Sequence, residues 1–519
     1  MRILVFHGYL LRGTGSNVYN AGLVRALTGL GHEVHLLCQD REAERLPFVD
    51  AVGDWKGGEL GVRVLREPVG VTAYRPDIGG LLPVYVADRY EGFEARPFPG
   101  LSDRELERYL ASNVAAVRDV VDRFAPELAL ANHAVMGPAI LARALGDTVS
   151  YAVKIHGSAL EYTVRPAPER FTPYAVEGLA GARGVLVGSR HTAEALWELV
   201  EAPGLRERTR LGPPGVDVAA FRPRSGGGAG RRLAALADRL EGAEVASWGG
   251  ESSAPAALRE LDPDRHRIVS FVGKLIVSKG VDLLLAAWPL VVRDVPDARL
   301  VVVGFGAYRD GLLRLLGALS EGDLGVARDV AARGRELEGG RPGELGYLSA
   351  FFGSLEGERR GDYLDAARYC AETVGFTGRL EHADLADLLP ACEAQVVPST
   401  FPEAFGMVAA EAAACGALPL SAAHSGLAEV TAVLAAALEE PLRPLLSFER
   451  GPRAVEEIAA KLVEWLRLEP ARRERASEAL AGLARERFGW EGVARGVIAA
   501  AQGRLGELIE PLGLSDGGG

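Results

Sequence analysis

The sequence predicts an α/β protein built on two doubly wound, mostly parallel sheets. Three observations carry this. Short β-branched runs alternate with longer helical patterns from the N-terminus onward, the rhythm of parallel strands joined by helices on both faces. The same rhythm starts afresh near residue 266. The chain's 519 residues, 48% of them hydrophobic, exceed one ordinary core and suffice for two.

In the first half, Arg2–Phe6, Glu33–Cys38, Val62–Arg66, Leu128–Asn132, Tyr151–Ile155 and Val185–Gly188 read as strands. Ser16–Leu30 and Leu101–Phe124 read as helices. In the second half the strands are Arg267–Val272, Arg299–Val303, Ala394–Val397 and Leu418–Ser421. The helices there are Val281–Val292, Phe405–Cys415 and Val455–Arg467. This divides the chain into a domain over 1–222, a linker insertion over 223–265, a second domain over 266–485 and a C-terminal piece over 486–519. The linker is rich in Gly, Ser and Pro, with a short helix near Arg232–Leu240. An irregular, charged insertion over about 317–372 is expected to decorate the second domain's surface, and the tail Ser515–Gly519 to be disordered.

Composition narrows the function. A net charge of −12 argues against broad nucleic-acid binding. No uninterrupted run of 18 apolar residues occurs, so no membrane-spanning helix is expected. The apolar N-terminal run is short, lacks a cleavage site and reads as a first strand rather than a signal peptide. Cys38, Cys370, Cys392 and Cys415 show no CxxC spacing, which fits reduced thiols and a cytoplasmic location.

Four features carry candidate chemistry. Gly13, Gly15 and Asn17 precede a helix, where backbone can approach a phosphate; a loop that merely packs the helix on the sheet explains them equally well. Asp40, ending the second strand, would suit the ribose of a nicotinamide cofactor, so an NAD(P)-dependent Rossmann oxidoreductase is a rival reading. Against it, Asn17 replaces the third glycine and the loop is long. Only five lysines occur, and of these Lys274 and Lys279 flank a turn at the carboxyl end of a strand, where two ammonium groups could neutralise a diphosphate. Finally, VVPSTFPEAFGMVAAEAAACG sets Glu403 in a loop and Glu411 in the alanine-rich helix that follows, with seven residues between them. That spacing lets two carboxylates hold different parts of one long ligand through its hydroxyls, with the N–H groups near Gly406 and Met407 open to a phosphate.

Taken together, FPEAFGMVAAEAAACG, GPPGVDVAAFRP, FVGKLIVSKGVDLLLAAW, LVVVGFGAYRDGL, GHEVHLLCQD and FGWEGVARGVIAA resemble the GT4 family of glycosyltransferases. The resemblance spans most of the chain outside the two insertions. It implies the GT-B fold, two Rossmann-like domains facing each other across a cleft, with a C-terminal helix returning to the first domain. It implies a retaining hexosyltransferase that takes a nucleotide-diphosphate sugar, weighted towards a UDP-linked donor, and needs neither metal nor cofactor. Glu403 would then hold the donor sugar and Glu411 the ribose, with Phe405, Gly406 and Met407 beside them. Lys274, which stands where the family commonly has arginine, and Lys279 would hold the diphosphate, and Gly13 and Gly15 would line the first domain's side. His156 would sit near the reacting sugar, and His156, Lys274, Lys279 and Glu403 form the implied catalytic set.

The implied acceptor is a glycan, a lipid-linked sugar or a small polyol. His133 and the aromatic stretch Asp77–Pro99, with Tyr90, are the acceptor candidates. No polybasic amphipathic helix near the N-terminus points to a lipid acceptor, although peripheral membrane contact is left open. A catalytically dead nucleotide-sugar-binding protein is the remaining alternative.

Overall fold

A computed structural model of the chain describes residues 1–12, 15–85, 93–224, 227–241 and 253–511. It divides into two units, Met1–Gly215 with Phe488–Gly519, and Val216–Arg487.

The first unit's strands are β1 (Arg2–Phe6), β2 (Glu33–Leu37), β3 (Ala51–Lys56), β4 (Glu59–Val64), β5 (Val71–Arg75), β6 (Leu81–Val84), β7 (Glu94–Pro97), β8 (Leu128–Asn132), β9 (Ser150–Lys154), β10 (Gly184–Val187) and β11 (Thr209–Leu211). Among the described residues, nine of them form one sheet in the order β11-β10-β9-β8-β1-β2-β5-β3-β4, while β6 and β7 pair separately. The central strands are apolar almost throughout because helices cover both faces. On one face Leu23, Val24 and Leu27 of the helix Gly15–Gly29 share a cluster with Val497 and Ile498 of the helix Trp490–Ala501. On the other, Leu106, Leu110 and Val117 of the helix Asp103–Phe124 pack with Ile140 and Leu141. That long helix starts on a capping box, Ser102 with Glu105.

The strand read at Val62–Arg66 lies at Glu59–Val64 and runs antiparallel to β3 at the sheet edge. Gly57 and Gly58, both at positive φ, join the two strands in a two-residue hairpin, so the chain folds back instead of crossing over.

The second unit carries β12 (Arg267–Val272), β13 (Ala298–Val303), β14 (Val374–Gly378), β15 (Ala394–Val397), β16 (Leu418–Ala422) and β17 (Ser447–Phe448). Among the described residues they form one parallel sheet in the order β14-β13-β12-β15-β16-β17.

Two expectations about this unit need correction. The stretch 223–265, read as a linker, lies inside the second unit, and its described parts hold the helices Gly228–Glu241 and Ala254–Arg259. Gly228, Gly230 and Pro255 lie within these helices, and Leu233, Leu236 and Leu258 are buried. Arg232 and Arg239 pair with Asp384 and Asp387 on the helix His382–Leu388. The insertion at about 317–372, expected as irregular surface decoration, is mostly helical, with helices at Leu324–Arg333, Gly346–Gly353 and Gly357–Ala367. Leu348, Phe351, Phe352 and Tyr363 are buried, and the Tyr363 hydroxyl donates to the Ala286 carbonyl at 2.9 Å. Charged residues are interspersed throughout this segment and obscure the apolar side it buries.

Candidate active site

In an open parallel sheet, ligands bind at the carboxyl ends of strands where the strand order reverses, because neighbouring loops diverge there. In the second unit that point lies between β12 and β15. The loop after β12 carries Lys274 and Lys279, and the loop after β15 carries Glu403.

These two loops are locked together. Gly280 adopts φ +68°, and a Cβ there would lie 2.0 Å from the Pro398 carbonyl oxygen. Only glycine permits so close a backbone approach. Thr400 N–H donates to the Ser278 carbonyl at 2.9 Å. The Lys279 ammonium donates to Glu403 Oε1, and the Ser399 hydroxyl donates to the same oxygen at 2.6 Å. From the other side, Glu403 N–H donates to Ser425 Oγ at 2.9 Å, and Gly426 N–H to the Glu403 carbonyl at 2.9 Å. His424 ties in through Nε2 to the Ser399 carbonyl at 2.8 Å. Glu403 and Lys279 are both half-buried, with side chains 25% and 30% exposed, so the pair is formed yet within reach of a ligand. Lys274 stands exposed two residues beyond β12.

The helix after this loop spans Met407–Ala414, two residues later than expected at its start. Its N-cap is Gly406, which supplies no side-chain cap to the helix's first N–H groups. Phe405 is half-buried just ahead of it. Glu411 is buried on this helix and meets His382 Nε2 at 2.7 Å, and the His382 ring packs on Phe221 with centroids 4.8 Å apart. The two acids therefore have separate partners and are not a pair.

In the first unit the strand order reverses between β8 and β1. Polar side chains gather at that end. Asn132 Nδ2 donates to the Phe6 carbonyl at 3.1 Å, which orients its amide and leaves Oδ1 as acceptor for His156 Nε2 at 2.8 Å. The His156 ring is thus protonated at Nε2, with Nδ1 bare. Burial, followed by His133, Lys154 and His7, holds its pKa well below the usual imidazole value, so it is neutral at pH 7. Asn20 Nδ2 donates to His7 Nδ1 at 3.0 Å, while His7 Nε2 lies 2.9 Å from the Leu10 carbonyl. Burial lowers the His7 pKa to about 4. His133, buried just after β8 with φ +69°, packs near Tyr85 and His156, at 4.3 and 4.8 Å between ring centroids. Neither of its ring nitrogens has a partner among the described residues.

Gly15 opens the helix Gly15–Gly29, with open space where its Cβ would stand. Gly13 and Tyr90 lie outside the described residues. Asp40, the acid of the oxidoreductase reading, accepts from Leu11 N–H at 3.0 Å and Glu42 N–H at 2.9 Å, so both its oxygens are committed to the loop. Lys154 is committed inside its own unit: its ammonium donates to the Gly212 carbonyl, and burial lowers its pKa to about 7.

Sequence reasoning assigned no role to Ser399, Ser425, His424, His382 or the Asn20–Asn132 pair. Ser399 lies in the loop of Glu403 and was within reach of such reasoning. His382 is 29 positions from Glu411, and no local pattern links them.

The description "Glycosyl transferase 4-like domain" matches residues 14–215 and "Glycosyl transferases group 1" matches residues 347–480. A D-inositol 3-phosphate glycosyltransferase of Xylanimonas cellulosilytica is 26% identical over 488 residues, 93% of this chain and 90% of that protein. A GDP-mannose-dependent alpha-(1-6)-phosphatidylinositol monomannoside mannosyltransferase of Mycolicibacterium smegmatis is 33% identical over 157 residues, 29% of this chain and 39% of that protein. The structure of Anabaena Alr3699/HepE in complex with UDP and glucose is similar with a TM-score of 0.54 and 15% identity, covering 97% of this chain and 99% of that one.

Proposed function

The chain is a glycosyltransferase of the GT4 type and GT-B fold that uses nucleotide sugars, and from that premise we propose that it transfers a hexose, with retention and without a metal ion, to a hydroxyl of a polyol or carbohydrate acceptor. The observation that carries the donor assignment is the locked pair of loops in the second unit, where Lys279, Ser399 and Glu403 converge. Glu403 holds the hexose hydroxyls and Glu411 the ribose. Lys274, Lys279 and the uncapped helix start at Gly406 and Met407 face the diphosphate.

The chemistry is positioning and electrostatics. As the bond between the anomeric carbon and the phosphate oxygen breaks, negative charge grows on the leaving diphosphate, and the two ammonium groups stabilise it. The acceptor oxygen bonds the anomeric carbon on the same face, and its proton passes to the departing phosphate oxygen. His156, neutral with Nδ1 bare, is suited to accept a hydrogen bond from a sugar hydroxyl and not to serve as a cationic acid. His133 is assigned to the acceptor. The relatives named for D-inositol 3-phosphate support a polyol acceptor, and the UDP complexes among the structural neighbours support a UDP-linked donor.

A panel of UDP-, GDP- and ADP-sugars incubated with the full chain in EDTA, with nucleoside diphosphate release followed, tests this. Release of UDP from one UDP-hexose is expected. Release from a GDP-sugar alone would overturn the base assignment. Activity restored only by a divalent ion would overturn metal independence, and no release with any donor and polyol acceptor the catalytic reading.

A further inference from the structure

The turn that carries Lys279 is held by more than the loop of Glu403. Part of that support comes from an unexpected place. The helical insertion contributes a short turn, Arg335–Glu338, and Glu338 Oε2 accepts the Val277 backbone N–H at 2.8 Å. Val277 begins the turn Val277–Lys279. The Glu338 side chain is 16% exposed, and its other oxygen lies 3.6 Å from Arg335 Nε.

The base of this contact is firm. Gly334 and Gly343 form a backbone bridge, and a Cβ on Gly334 would lie 1.8 Å from the Gly343 carbonyl oxygen. Gly340 N–H donates back to the Arg335 carbonyl at 2.9 Å. Leu337 meets Gly311 of the helix Arg309–Glu321, where a Cβ would lie 3.3 Å from that of Leu337. On the other side of the lysine loop Leu275 N–H donates to the Phe305 carbonyl at 2.8 Å, and Tyr308 N–H to the Leu275 carbonyl at 3.0 Å. Val277 N–H is therefore bonded by a side chain where Leu275 is bonded by main chain. A carboxylate is the stronger acceptor, and it closes the gap between the insertion and the donor loop.

We propose that Glu338 is a positioning residue for donor binding: through the Val277 N–H it sets the Val277–Lys279 turn, and so the Lys279 ammonium beside Glu403, which makes the insertion a working part of the donor site. This rests on the donor reading above. Like the turn it serves, Glu338 lies outside the two matched stretches, 14–215 and 347–480.

The test measures binding of UDP and of GDP to the full chain by calorimetry, with donor kinetics and hydrogen exchange alongside. Glu338→Ala is expected to weaken nucleotide binding about tenfold, the effect of losing one charge-assisted hydrogen bond, and to raise donor KM by a similar factor with kcat little changed. Exchange at the Val277–Lys279 amides should quicken. Glu338→Gln, whose amide oxygen still accepts from Val277, should recover most of the affinity. Glu358→Ala, an exposed acid elsewhere in the insertion, should match the wild type. Should the alanine variant melt below the assay temperature, Glu338→Asp replaces it with the same expectation. If the wild type binds a nucleotide and Glu338→Ala binds it equally well, this proposal fails alone. If affinity falls but kcat falls with it and glutamine restores nothing, the role is merely structural and the proposal also fails. If the wild type binds neither nucleotide, the donor reading falls and takes this proposal with it.

Discussion

Glu403 and Glu411 meet one physical demand in two ways. A carboxylate withdrawn from water must be stabilised by a partner, or its desolvation destabilises the fold. Glu403 uses Lys279 and Ser399 on a single oxygen. Glu411, far more buried, uses His382. Asp282 shows what happens when such a partner is missing. It is buried in the first turn of the helix Val281–Asp294, its Oδ1 has no partner among the described residues, and burial, with Glu338 adding to it, raises its pKa to about 7. The sign follows from linkage. Between roughly pH 4 and 7 the folded state keeps a proton that the unfolded state releases, so Asp282 lowers stability increasingly as pH rises through that window. Asp282→Asn is therefore expected to stabilise the chain by on the order of 2–4 kcal/mol at pH 8 and by about half as much at pH 5. Thermal denaturation at the two pH values checks this; an equal gain at both, or a loss at pH 8, contradicts it.

At the scale of elements, the site depends on how two loops approach each other. Gly280 is where they touch, and Gly280→Ala would force a Cβ against the Pro398 carbonyl from a left-handed backbone. A stability loss of about 2–4 kcal/mol is expected, together with a rise in donor KM because Lys279 and Glu403 are displaced together. A variant with wild-type KM would show that the loops need not be locked. Elements such as Arg2–Phe6 and Ala394–Val397 were legible in the sequence because a strand buried on both faces is a nearly unbroken apolar run. Val71–Arg75 and Val374–Gly378 were not, since threonine, arginine and glycine interrupt them and only the sheet supplies their neighbours. The same holds within the site. Glu403, Glu411 and the lysines announce themselves by local spacing, whereas His382 and Glu338 reach it from 29 and 61 positions away from the residues they bond. Contacts of that span are a product of the fold.

At the scale of the whole molecule, each unit places its polar residues where its own strand order reverses: the lysine and acidic loops in one, the histidine and asparagine cluster in the other. The repeat of the βαβ rhythm made two such sheets legible, while composition misled about the segments between and within them, because glycine and charge mark loops and helix flanks alike. Among the described residues no helix is long and apolar enough to cross a membrane. The proposed function places the donor on the second unit through Glu403, and the most direct measurement compares wild type and Glu403→Ala for transfer from the best nucleotide sugar, with folding checked by thermal denaturation. Loss of a carboxylate hydrogen-bonded to the transferred sugar predicts a fall in kcat/KM of at least about a hundredfold in a protein that still folds. A folded Glu403→Ala variant that transfers sugar at the wild-type rate would contradict the account.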